Sequence, residues 1–152
     1  MYSRLIYVLL GFFLSLFAAL VVAQDRLGAP SEHAGLVARI NLEESSEIEE
    51  ALLRAEAFYF QNEMEMEYPP IAFVIHGPEV AVFYKENYQQ FKSIVDLAAK
   101  LSSFNVIDVK VCEASSRRFG LEGKSLYPFV GTVPFGPVEV KRLLEDEQYT
   151  YF

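Results

Sequence analysis

Tryptophan is absent from this chain, histidine occurs twice, and Cys112 is the single cysteine in 152 residues. One cysteine excludes an intrachain disulfide framework. With two histidines beside it, a Cys/His zinc site within one chain lacks ligands. No metal and no cofactor is expected. Basic residues are scarce as well: 13 Lys and Arg stand against 21 Asp and Glu, a formal net charge of −8. Phosphate-rich partners repel such a chain, so nucleic acid and anionic lipid surfaces are not expected ligands. The sequence also has no Gly-rich nucleotide fingerprint, no Walker sequence, no Ser/His/Asp order signature and no metal-ligand spacing. Gly77-Pro78, after an apolar run, is the nearest approach to a phosphate-binding turn, and it is a weak one.

The longest feature present is apolar. Met1-Tyr2-Ser3-Arg4 supplies one positive charge, and Leu5 to Val22 is an almost unbroken hydrophobic run. Val21-Val22-Ala23 closes it with small residues at the positions a signal peptidase reads. Residues 1–23 are therefore expected to be a secretory signal peptide cleaved after Ala23. The run is nearly long enough to span a bilayer, so an uncleaved N-terminal anchor is the alternative, and membrane association is expected only in that case. Either reading puts the folded part outside the cytoplasm, periplasmic or secreted. Residues 24–34, with Gly28, Pro30 and Ser31, read as a flexible lead-in to one domain over 35–152.

Within that domain, strand and helix patterns alternate. Leu36–Leu42 is a candidate strand. Ser46-Glu47-Ile48-Glu49 has the form of a capping box, and Ile48, Ala51, Leu52, Ala55, Phe58 and Tyr59 follow at helical spacing. Glu63-Met64-Glu65-Met66-Glu67 alternates acid and methionine, which reads as a solvated helix end or loop rather than a metal site. Ile71–His76 is a short apolar run suited to a central strand, ended by His76-Gly77-Pro78. Asn87 is a fair N-cap for a second helix carrying Tyr88, Phe91, Ile94, Val95, Ala98 and Leu101 on one face. Val106–Val111 is rich in β-branched residues and reads as a buried strand. A short helix after Cys112, a strand at Val130–Val133, a helix from Gly136-Pro137 and a β-prone end at 149–152 complete the series. Such alternation predicts an α/β fold: a three-layer α/β/α sandwich on a mainly parallel sheet.

Cys112 is the best chemical candidate. It closes a predicted strand and opens a predicted helix, where the helix dipole favours a thiolate. Arg117 and Arg118 follow within the same segment and push the same way. His76 ends its own strand as Cys112 does, and parallel strands present such ends together. His76 is then either a base or donor near the thiol or a neutral histidine bonded to loop backbone. Cys112 itself is either reactive or a small buried hydrophobe. Aromatic residues form two further groups, Phe83, Tyr84 and Tyr88, and Tyr127, Phe129 and Phe135. They are read either as surface for other chains or as cover folded onto their own domain.

Three segments resemble the DsrE/DsrF-like proteins, which include subunits of bacterial sulfur-relay complexes. They are His76-Gly77-Pro78-Glu79-Val80; Val111-Cys112-Glu113-Ala114-Ser115-Ser116-Arg117-Arg118; and Val133-Pro134-Phe135-Gly136 running into a last helix and an aromatic end. The resemblance covers nearly all the chain after the leader. It implies a DsrE-like fold with Cys112 holding sulfur as a persulfide, and His76, Gly77, Arg117 and Arg118 as binding or activating groups. It also implies a homotrimer or hexamer that exchanges sulfur with donor and acceptor proteins or small sulfane-sulfur compounds. The alternative, from another functional class, is a non-catalytic oligomeric binding or scaffold protein with Cys112 packed in its core.

Overall fold

A computed structural model describes residues 34–40, 44–62 and 69–152. Residues 1–33, which hold the expected signal peptide and most of the expected lead-in, and the acid–methionine run at 63–67 lie outside the described residues. The folded unit spans His33–Phe152. Among the described residues five strands, β1 Leu36–Val37, β2 Ile71–Ile75, β3 Ile107–Cys112, β4 Val130–Val133 and β5 Thr150–Tyr151, form one sheet in the order β4-β3-β2-β1-β5. Every neighbouring pair is parallel. Among the described residues four α-helices connect them: α1 Ser45–Gln61, α2 Tyr88–Ser103, the short α3 Glu113–Arg118 and α4 Gly136–Glu145. A 3-10 helix, Gly77–Phe83, follows β2 directly, and a second, Lys85–Asn87, leads into α2. None of the described helices is long and apolar enough to cross a membrane.

The layers follow from side-chain periodicity. Ile48, Ala51, Leu52 and Ala55 line the buried stripe of α1, and Ile94, Val95, Ala98 and Leu101 that of α2. Both stripes pack with Ile71, Phe73 and Ile75 of β2 and Ile107, Val109 and Val111 of β3 in the larger core. Successive strand residues point to opposite faces. Ala72 and Val74 therefore turn the other way, into a smaller core with Val37, Val133 and Leu143 of α4. The sheet is thus sandwiched, as the alternating pattern predicts. Each fully buried side chain of the Leu, Ile or Phe size contributes about 1.5–3 kcal/mol by leaving water.

Several local expectations are corrected. Strand β1 ends at Val37, not Leu42, and residues 38–40 are not strand. Its outer neighbour β5 is only two residues long, so two-sided pairing stops there, although the Ala38 N–H still donates to the Ala72 carbonyl at 2.8 Å. The capping box does not form. Helix α1 starts at Ser45 with Glu44 at the cap, two residues before the expected cap, and the Ser46 hydroxyl donates to the Glu44 carboxylate at 3.2 Å. Asn87 does stand at the N-cap of α2 but makes no capping bond; its side-chain amide donates to the Ala81 carbonyl at 2.8 Å. Strand β3 is displaced by one residue, from Ile107 through Cys112. The two aromatic groups mostly cover their own domain: Phe83 and Tyr84 are buried, and Tyr127 stacks on Phe129 at 5.7 Å. Phe135 alone among them is largely exposed, at 51%.

Candidate functional site

Because the sheet is parallel, the C-terminal ends of β2, β3 and β4 reach one edge, where ligand sites of open α/β sheets form. Strand β2 and β3 are paired in register from Ile71↔Ile107 to Ile75↔Val111. That register sets His76, just past β2, beside Cys112, the last residue of β3. Gly77 turns the chain into the 3-10 helix at φ +74°, a left-handed conformation that side chains resist. The turn aims the Gly77 N–H at the Ser115 hydroxyl, which accepts it at 3.0 Å.

Cys112 is both the end of β3 and the N-cap of α3. Its sulfur accepts the Ser115 N–H at 3.4 Å, and its carbonyl accepts the Ser116 hydroxyl at 3.1 Å. The side chain is fully buried. Burial pushes the thiol up, but hydrogen bonds from the Ser115 side chain and from the backbones of Gly136, Ser115 and Ala114 outweigh it, leaving Cys112 below its ordinary value. Such donors stabilise the anionic form of sulfur more than the neutral thiol. Burial lowers His76, so its imidazole is neutral at pH 7. Neutral imidazole keeps one nitrogen free to accept a proton. Three residues further, Glu79 is buried with one carboxylate oxygen unpartnered, and burial raises it toward the uncharged form.

His76 is therefore brought beside Cys112 by the strand register, and Gly77 is tied to the same turn through Ser115. Arg117 and Arg118 are placed differently. They occupy the last turn of α3, about 7–9 Å along the helix axis from its N-cap. Arg117 is half exposed and faces Glu113 at 3.8 Å, and Arg118 lies 5.8 Å from the Phe119 ring centre. Arg117 also lines an open cavity of about 220 Å³ with Lys124, Glu122 and Thr132. Among the described residues no cluster of three His, Cys, Asp or Glu side chains is arranged to hold a metal ion.

Two residues of the site escape the sequence reading. Ser115 is hidden in a run of small polar residues, and its signal is the spacing: three past an N-cap, where a helix N–H points back. Gly136 reads in sequence only as a helix start. Its second role depends on β4, which pairs Val133 with Cys112 and so delivers the start of α4 to the sulfur.

Among solved structures, a protein of unknown function from Methanobacterium thermoautotrophicum matches with a TM-score of 0.60 at 18% identity, covering 77% of this chain and 96% of its own. That likeness shows the fold. A search of curated proteins finds no match. The sequence profile of the DsrE/DsrF-like family matches residues 37–152, and these carry the whole sheet from Val37 onward, the cysteine turn and the last helix. The chain belongs to the DsrE/DsrF-like family.

Proposed function

We propose that the protein is an exported sulfur carrier, its leader cleaved after Ala23, that holds persulfide sulfur on Cys112. The ring of hydrogen bonds on the buried sulfur, beside a neutral His76, supports this reading. In the loading step the Cys112 thiolate attacks the outer sulfur of a donor persulfide. The donor's S–S bond breaks, a new S–S bond forms on Cys112, and the electron pair leaves with the donor thiolate. An acceptor thiolate then attacks the outer sulfur in the same way and releases Cys112 as a thiolate, with no net oxidation. The amides and the Ser115 hydroxyl stabilise the anion at the start and end of the cycle, and His76 takes or returns the proton of the resting thiol.

The assembly is a homotrimer or hexamer in a periplasmic or extracellular setting. Exposed Phe60, Phe104, Phe135 and Val138 support it as apolar surface for a second copy. Light scattering on the mature protein tests it, and a clean monomer mass at micromolar concentration would overturn it.

Incubation with polysulfide followed by intact mass measurement tests the carrier reading. The expected result is addition of sulfur to the wild type and none to Cys112→Ser. No addition, or equal addition to both, would sink it. The complete burial of Cys112 favours a second reading, a binding or scaffold protein with a packed cysteine. A carrier labels quickly with thiol reagents at neutral pH, and a packed cysteine slowly.

A further inference from the structure

Helix α4 begins against the sulfur. Gly136, its first residue, is buried, and a Cβ placed there would stand 3.0 Å from the His76 Cβ and 3.3 Å from the Cys112 Cβ. The His76 Cδ2 would follow at 3.4 Å. Gly136 is not among the residues with positive φ, so space, rather than backbone freedom, calls for glycine here. The close approach sets the Gly136 backbone amide beside Cys112, where it favours the thiolate over the thiol. The first N–H groups of a helix have no partner inside it. The next residue, Pro137, has no N–H at all, which leaves Gly136 as the donor α4 presents at this point. A second amide, that of Ser115, reaches the same sulfur from α3.

We propose that Gly136 is the positioning residue of the thiol site: its missing side chain lets α4 hold a backbone N–H on the Cys112 sulfur, so that the anionic sulfur is stabilised by amides and a hydroxyl rather than by Arg117 and Arg118. The inference rests on the reading of Cys112 as reactive, but it concerns how the sulfur titrates and not whether sulfur is transferred. The placement of the arginines agrees with it, since one faces Glu113 and the other lies over Phe119. The two sources of stabilisation also differ in their response to salt. Exposed guanidinium charges are screened beyond about 8–10 Å at physiological ionic strength, whereas a direct amide contact is not.

The ultraviolet absorbance of the thiolate, followed against pH in the purified protein, reads the sulfur whether or not a reagent reaches it. Gly136→Ala is expected to raise the midpoint by about one pH unit, roughly the worth of one hydrogen bond to an anion. Gly131→Ala is the control, because a Cβ there meets the Lys110 Cγ at an ordinary 3.6 Å and leaves the midpoint unchanged. The double variant Arg117→Ala, Arg118→Ala and a wild-type salt series are each expected to leave the midpoint within a few tenths of a unit. An unmoved midpoint in folded Gly136→Ala overturns the inference, as does a shift on loss of the arginines as large as that of Gly136→Ala. Should Gly136→Ala fail to fold, the arginine variant and the salt series decide between them: a steady midpoint supports the amides, and a rising one overturns them. Sulfur loading is scored separately. A wild type that takes no sulfur while Gly136→Ala still shifts defeats the carrier reading and leaves this inference standing. A wild type that loads while the midpoint of the variant stays put defeats this inference alone.

Discussion

Strands β2 and β3 lie side by side in full register, yet one is buried on both faces and the other on only one. The register pairs Val74 with Lys110 and Ala72 with Asp108, on the same face of the sheet. Val74 is 5% exposed, while the Lys110 side chain is 31% exposed. Helix α4 accounts for the contrast. It packs over β1 and β2, touches the end of β3 where Gly136 meets Cys112, and along the rest of β3 presents only its charged flank, where Lys110 faces Glu139 at 3.7 Å and its own neighbour Asp108 at 3.2 Å. On its other side Lys110 pairs with Gly131 of β4, and the lysine stem runs along that strand while its ammonium reaches the acidic groups. A charged alternate residue therefore marks where the cover of a parallel sheet stops. Both strands still end in the same site, so the thiol depends on one fully enclosed strand and one half-open one.

The sharpest way to break this comparison is to exchange the paired residues. Val74→Lys puts a charge between β2 and α4 with no partner and is expected to destabilise by about 3–5 kcal/mol, read as a lowered denaturant midpoint. A loss under 1 kcal/mol would mean that α4 does not seal this face. An intermediate effect is expected at the end of β2. Burial lowers His76 below 6.5, so the folded state resists a proton that the unfolded chain accepts. Stability should be level above pH 6.5 and should fall as the pH drops through 6.5 toward the folded value. His76→Gln should lack that part of the loss; equal acid sensitivity in the two proteins would show that His76 is not responsible. The smallest effect belongs to Lys110→Val. It removes partly exposed ion pairs and should change stability by less than about 1 kcal/mol. A large loss there would show that the charged row carries structure after all.

Much of the fold was legible because burial leaves periodic marks. The continuous run Ile71–Ile75 announced a strand covered twice, and the stripes of α1 and α2 announced which faces meet the sheet. The alternation in Ile107-Asp108-Val109-Lys110-Val111 carried the half-open face of β3 as well. What escaped depends on pairing or on space. The extent of β1 is limited by its partner β5, and local propensity does not report a partner's length. Ser46 fits a capping box by spacing, yet the helix begins at Ser45 and Ser46 falls inside it. At the site, Cys112, His76 and Gly77 were visible as residues ending apolar runs before turn signals. Arg117 and Arg118 stand near Cys112 in sequence, and the helix sets them a turn and more away from it. Gly136 stands 24 positions after Cys112, and only the pairing of Val133 with Cys112 brings the two together.

The position of β5 beside β1 has a kinetic side. Thr150 pairs with Leu36 and Tyr151 with Val37, so the last strand in chain order completes the outer edge of the first. A growing chain can assemble β1 through β4 from successive neighbours, but the β1 edge stays open until residues far downstream emerge. Closing so long a loop is entropically slow, and contacts of this range delay folding relative to local ones. During that interval β1 offers unpaired N–H and C=O groups to any other strand. The β1 edge is thus open to misassociation until β5 emerges, and docking of β5 converts that open edge into an interior one.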